Sequence, residues 1–208
     1  MRIIRLICGL IIGGCTLGEA HATTKGLSQI VTPDLQPEGE LSLSFQAQAR
    51  DIGNPYELQA EIGLTSWLEA AVFQGLSPGE QVFNAQVGLV QHGPWLLSTG
   101  FINWSTRGSS PQPFLEAGYY TPKDKWMAGP IRVQNQTQLL LGWAHDFNEM
   151  WRFQLDYQSG TSNFFTVGFT CNVTDRLQFN PAVYFANGSH AAEGYIVFTY
   201  TLPVWKPR

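Results

Sequence analysis

Along residues 151–158 apolar and polar positions alternate without a break. Trp151, Phe153, Leu155 and Tyr157 fall on one side, and Arg152, Gln154, Asp156 and Gln158 on the other. Successive side chains of a strand point to opposite faces, so a period of two predicts a strand with one greasy and one wet face. The same division recurs in Leu41, Leu43, Phe45 and Ala47 against Ser42, Ser44, Gln46 and Gln48, and in Tyr56, Leu58, Ala60 and Ile62 against Glu57, Gln59 and Glu61. It returns in Phe83, Ala85, Val87 and Leu89 against Asn84, Gln86 and Gly88, and in Leu177, Phe179, Pro181, Val183 and Phe185 against Gln178, Asn180 and Ala182. From Glu40 onward no stretch sustains a helical period of 3.6 residues.

Turn-forming clusters between these runs predict strands near 40–49, 56–64, 67–76, 81–91, 95–104, 113–121, 125–131, 136–145, 151–159, 163–173, 176–186 and 194–203. That makes twelve. The seventh is the weakest, because Gly129 and Pro130 interrupt it and one long strand from Ile131 to His145 would serve instead, leaving eleven. The connections favour twelve. Thr65-Ser66, His92-Gly93-Pro94, Pro122-Lys123-Asp124, Phe147 to Met150 and Thr174-Asp175 then fall on one rim. Connections at Arg50–Pro55, Ser77–Glu80, Ser105–Gln112, Arg132–Asn135, Gly160–Ser162 and Asn187–Glu193, longer on the whole, fall on the other. Trp67, Trp95, Trp126, Trp143, Trp151 and Trp205 all lie beside the short-turn rim or the C-terminus, and Trp104 beside the other, as expected where indole rings settle at a membrane boundary.

Alternation does not say which face is inside. A soluble barrel buries its apolar face and covers its outer face with Lys and Glu, whereas a membrane barrel turns its apolar face to lipid. Composition decides. Only 13% of the residues are charged and as many are aromatic, and the polar faces carry Gln, Asn, Ser, Thr and Gly with scattered charges, groups that can bond one another and trapped water in a lumen. The fold expected is all-β: a closed, antiparallel, up-and-down transmembrane β-barrel of about twelve strands, with ten the next choice. The formal net charge of −4 and the absence of a basic stripe argue against nucleic acid as a partner.

The N-terminus reads as an export signal. Arg2 and Arg5 precede an apolar run from Ile3 to Gly14, too short to span a membrane as a helix, and Ala20-His21-Ala22 is a small-x-small cleavage site. The expected organisation is a signal peptide over 1–22, a periplasmic segment over 23–39 and a barrel over 40–205. Ile12-Gly13-Gly14-Cys15 offers a second route, in which Cys15 would be acylated. With Cys8 and Cys15 removed in the leader, Cys171 stands alone and closes no internal disulfide.

With its signal peptide, two-faced strands, aromatic rim and aromatic final strand, the chain resembles Gram-negative outer-membrane β-barrels in general over Glu40 to Trp205. The last strand, Gly194-Tyr195-Ile196-Val197-Phe198-Thr199-Tyr200-Thr201-Leu202, is similar to the insertion signal of such barrels. It departs from that signal in being followed by a tail, Pro203 to Arg208. The resemblance implies an outer-membrane location, lipid as surroundings and the barrel-assembly machinery as a partner during insertion.

Chemistry is sparse. His145 and Asp146 are adjacent on a strand and so face opposite ways, which excludes a direct His–Asp relay between them. His92 and His190 fall in expected connections, and no spaced His, Cys or carboxylate set suggests a metal. No cofactor and no catalytic residue is expected. Glu57, Glu61, Glu116 and Asp156 are expected to face the lumen with Arg152, and Glu69 to join them, giving a mildly acidic interior; charged rings tune ion preference in pores. The reading is a narrow porin-like channel for small neutral or cationic solutes. The alternatives are a non-conducting structural or surface-interaction barrel and, third, a lipid-acting membrane enzyme.

Overall fold

The computed structural model describes residues 26–189 and 191–206. The expected signal peptide, Cys15 and His190 therefore lie outside the described residues. Twelve strands form one closed antiparallel barrel in which each pairs with its sequence neighbours and the last pairs with the first. They are β1 (Glu40–Gln48), β2 (Tyr56–Thr65), β3 (Leu68–Leu76), β4 (Gly79–His92), β5 (Trp95–Ser105), β6 (Gln112–Tyr120), β7 (Asp124–Val133), β8 (Gln136–Asp146), β9 (Trp151–Gln158), β10 (Phe164–Asn172), β11 (Leu177–Ala186) and β12 (Ala192–Pro203). The seam runs from Glu40 against Pro203 to Gln48 against Tyr195, so the aromatic final strand closes the wall.

The face question resolves in favour of lipid. Among the described residues nineteen buried side chains are polar or charged and ten are apolar, while Leu43, Phe45, Leu58, Leu141, Phe169, Val183 and Phe198 stand exposed on the outer wall. A soluble domain has the opposite arrangement, and an apolar belt of this extent is stable only against hydrocarbon. The seam displays both faces at once. Ser42 and Ser44 pair by their hydroxyls with Thr201 and Thr199 at 2.9 and 2.8 Å inside. Opposite them in the same register, Leu43 and Phe45 meet Tyr200 and Phe198 outside.

The seventh strand is present and longer than expected, Asp124–Val133. Its ladder with β6 lapses between Ala117–Ala128 and Phe114–Ile131, opposite the proline that has no N–H to give. Gly129 makes the lapse possible, because a Cβ there would sit 2.0 Å from the Leu115 carbonyl oxygen. The extension of β7 and β4 shortens two connections. Ser77-Pro78 and Gln134-Asn135 are two-residue turns rather than the four-residue stretches the sequence suggests, with Gln134 left-handed at φ 51°. The rims therefore differ less in loop length than expected. Their aromatic contrast stands, with Trp67, Trp95, Trp126, Trp151 and Trp205 exposed beside the short-turn rim and Trp104 beside the other.

The segment ahead of β1 departs most from expectation. Residues 26–38 do not stand apart from the barrel; they lie inside it as a strap. The strap crosses the interior from β9–β10 to β2 and β3, where Glu38 bridges Gly63 and the chain turns out into β1. The strap takes up part of an interior that is wider than the inward Ser, Thr and Gln side chains of a twelve-strand wall can occupy.

Candidate functional site

The wall is shaped for the strap. Each even-numbered strand from β2 to β10 contributes an inward glycine against it: Gly63, Gly88, Gly118, Gly142 and Gly168. A Cβ at Gly63 would lie 2.1 Å from the Pro37 carbonyl oxygen, and one at Gly118 would lie 2.6 Å from Pro33. At Gly168 it would lie 2.5 Å from the Ser28 hydroxyl. These glycines together leave a track for the strap, whose backbone meets the wall at Gly63 and whose side chains fill the space at the other four.

Polar contacts hold the strap along its length. The Asp156 carboxylate accepts both the Ser28 and the Gln29 backbone N–H, at 2.7 and 3.2 Å. Tyr184 donates its hydroxyl to the Ser28 carbonyl, and Gln154 donates to the Ser28 hydroxyl at 2.9 Å. Midway, Gln86 donates to the Thr32 carbonyl at 2.8 Å, while Asp34 accepts from Tyr120 at 2.6 Å with Lys125 3.6 Å away. At the far end Glu69 accepts the Gln36 N–H at 2.7 Å. Five of these contacts, from Asp156, Tyr184, Gln86 and Glu69, satisfy strap backbone groups that would otherwise be unpaired inside the barrel.

The apolar side chains at the Leu27 end of the strap face β5–β8. Leu27 and Ile30 pack with Phe114, Met127, Ile131, Leu140 and Ala144, an apolar patch on inner faces that also carry Ser98, Glu116 and Gln138. Burying each of the two is worth about 1.5–3 kcal/mol.

On the opposite side a cavity of about 500 Å³ remains. The strap from Gly26 to Val31 lies along it, β1–β5 supply most of its wall, and Asp51 to Asn54 with Ser162 and Asn163 border it at the rim of the longer loops. Its lining includes Asp51, Glu57, Glu61, Glu69 and Glu80, with no Lys or Arg among the described lining residues. Gln59 donates to both Gln46 at 2.7 Å and Glu57 at 3.0 Å, holding the carboxylate side of the wall in place. Low-dielectric walls bearing one sign of charge focus a potential that concentrates cations.

The six residues singled out in the sequence thus fall into different roles. Glu57, Glu61 and Glu69 line the cavity. Asp156, almost fully buried, and Glu69 hold the two ends of the strap. Glu116 is wholly buried on the inner face of β6 and is not part of the cavity lining. Arg152 makes a two-pronged pair with Asp146, at 2.7 and 3.2 Å, towards the short-turn rim. Sequence reasoning missed Glu80, which it placed in a loop and which is the second residue of β4, and the whole of the strap. A signal for the strap existed in the five inward glycines and in the run Leu139-Leu140-Leu141, which is apolar on both faces. His145 finds a carboxylate after all, across the ladder rather than beside it: Asp124 lies 2.9 Å from its Nδ1 and also accepts from the Trp143 indole at 3.2 Å. Among the described residues no group of three His, Cys, Asp or Glu side chains could hold a metal.

No family model matches the chain, and no curated protein resembles it in sequence. Solved structures do resemble it in fold. A KdgM porin in complex with disordered oligogalacturonate aligns with a TM-score of 0.56 at 13% identity, over 77% of this chain and 98% of that one. The KdgM porin without it aligns at 0.55 and 12% identity, over the same shares. A NanC porin aligns at 0.53 and 8% identity, again over 77% and 98%. The architecture is thus a twelve-strand transmembrane barrel of the kind found in small porins.

Proposed function

We propose that this protein is an outer-membrane, porin-like channel whose lumen accepts small cationic or neutral solutes from the rim of the longer loops. The observation that carries this reading is the 500 Å³ cavity with five carboxylates and no Lys or Arg among its described lining residues. Fixed charges within a Debye length of about 8 Å at physiological salt act together on an entering ion. The acidic lining also argues against the ligand named for the KdgM porin, since oligogalacturonate is a chain of carboxylate-bearing sugars that these glutamates would repel. The shared fold supports a solute path, and the charge inside supports a different cargo. Delivery through a cleaved signal peptide and insertion by the barrel-assembly machinery belong to the same reading.

One observation favours a second reading, a non-conducting barrel: the strap occupies the interior on its dedicated track. Reconstitution separates the two. The protein purified from outer-membrane fractions should conduct in planar bilayers, and under a KCl gradient its reversal potential should have the sign of cation preference. Anion preference would refute the acidic-lumen argument, and silence of the folded protein both with and without residues 26–38 would favour the second reading.

A further inference from the structure

We propose that the strap is an autoinhibitory plug. Seated as described, it closes the lumen between the acidic cavity and the short-turn rim, and solute passes only when residues 26–38 withdraw from their track. The inference rests on the reading of the barrel as a solute channel and adds its regulation.

Three independent features carry it. The first is position: the strap reaches from β10 to β2, with contacts to β4, β6 and β8 on the way, so it spans the interior instead of lining one side. The second is shape. The five inward glycines are spaced one to every second strand, and substitution at any of them would place a Cβ within 3.0 Å of a strap atom. A wall that merely tolerated a loose terminus would not need all of them.

The third is the kind of bond used. The strap is fastened at its two ends by carboxylates, Asp156 on the Ser28 and Gln29 amides and Glu69 on the Gln36 amide. Between them it is held by side chains of the wall bonded to its carbonyls, Tyr184 to Ser28 and Gln86 to Thr32. Such fastenings are discrete and can exchange for water, unlike a covalent tether. The strap's buried apolar cluster lies at the Leu27–Ile30 end, against Phe114, Met127, Ile131 and Leu140. The Pro33–Pro37 end rests on Gly118, Gly88 and Gly63 and continues into β1, so the junction at Gly39, φ 81°, is the hinge about which residues 26–38 would swing. The Leu27 end also borders the acidic cavity, so a solute entering from the longer loops meets the strap directly.

The test is a reversible lock. A Cβ at Gly88 would lie 3.0 Å from Leu35 Cδ1 and 3.7 Å from its Cγ, so Leu35→Cys with Gly88→Cys, in a Cys171→Ser background, places two thiols within disulfide reach without removing any polar fastening of the strap. Because that lock lies near the hinge, a second pair, Ser28→Cys with Gly168→Cys, locks the far end. Single-channel recording in planar bilayers should find the oxidised proteins at least about ten-fold less conducting than the same proteins after reduction. In parallel, Asp156→Ala with Glu69→Ala should raise the open fraction about ten-fold or more over the parent.

Equal conductance of oxidised and reduced protein, with the disulfide confirmed by mass, would mean that solute passes beside a seated strap. That would overturn the plug while leaving the channel intact. Silence of every form, including the Asp156→Ala, Glu69→Ala protein and one lacking residues 26–38, each migrating as a folded barrel, would overturn the plug together with the channel.

Discussion

Replacing Leu141 by Arg tests the membrane assignment most directly. Leu141 is the sixth of eleven residues in β8, it points outward at 41% exposure, and its ladder partners are Ala128 and Tyr157. In a bilayer that position is near the midplane, where an Arg on the lipid face of a barrel costs about 2–4 kcal/mol. At about 1.4 kcal/mol per decade, the folded-to-unfolded ratio should fall roughly 30- to 700-fold. On the surface of a soluble barrel the same exposed position would tolerate the change within about 0.5 kcal/mol. Phe147 supplies the depth control. It follows β8 at the rim and is 58% exposed, so Phe147→Arg should cost about 0–1 kcal/mol. Both variants are compared with the parent by urea titration in phospholipid vesicles, read by tryptophan fluorescence and by heat-modifiable migration. A Leu141→Arg protein as stable as Phe147→Arg would refute the placement of this wall in hydrocarbon.

Three further outcomes are expected. Leu140→Ala, which empties a site only 1% exposed between the strap and β8, should destabilise the barrel by about 2–5 kcal/mol in the same titration, although its neighbour Leu141 tolerates Ala far better. Glu57→Gln with Glu61→Gln should lower the cation-to-anion permeability ratio measured from reversal potentials without abolishing conductance, and an unchanged ratio would remove these residues from the path. Gly63→Ala drives a methyl into the backbone of Gln36 and Pro37 and should expose the strap to limited proteolysis, whereas Gly194→Ala, whose Cβ would meet nothing within 4 Å, should leave cleavage at the parent rate.

The wall was legible because its signal is local. β1, β2, β4, β9 and β11 each carry a clear alternation of their own, and the parity of the connections together with the Trp rim favoured twelve over eleven even though Gly129 and Pro130 blur β7. The strap was not legible for the converse reason. Leu27, Ile30, Val31, Thr32 and Gln36 have no period of their own, since an irregular segment satisfies its backbone through wall side chains far away in sequence; Asp156 lies 128 residues from Ser28. The same long range hid the partners of Asp156, whose carboxylate accepts the strap amides of Ser28 and Gln29. Glu80 was lost at a strand end, where turn residues such as Pro78 and Gly79 mask the start of β4.

Once the strap is in place the interior has two unlike halves. Towards β6–β8, Phe114, Met127, Ile131 and Leu140 pack with Leu27 and Ile30 in an apolar cluster, the drier side. An unpaired charge there would meet a desolvation cost that no ion in transit could recover. Towards β1–β4, Gln46, Gln59 and the glutamates border the open cavity, where charges remain hydrated and act on passing ions. Substitutions on the dry side should therefore change stability with little effect on selectivity, and substitutions on the wet side the reverse. Glu69 stands where the wet side meets the strap: it lines the cavity and its carboxylate holds the Gln36 amide at 2.7 Å. A charge that attracts a cation into the cavity and also fastens the strap couples solute entry to the strap, because a cation drawn to the Glu69 carboxylate competes with the Gln36 amide.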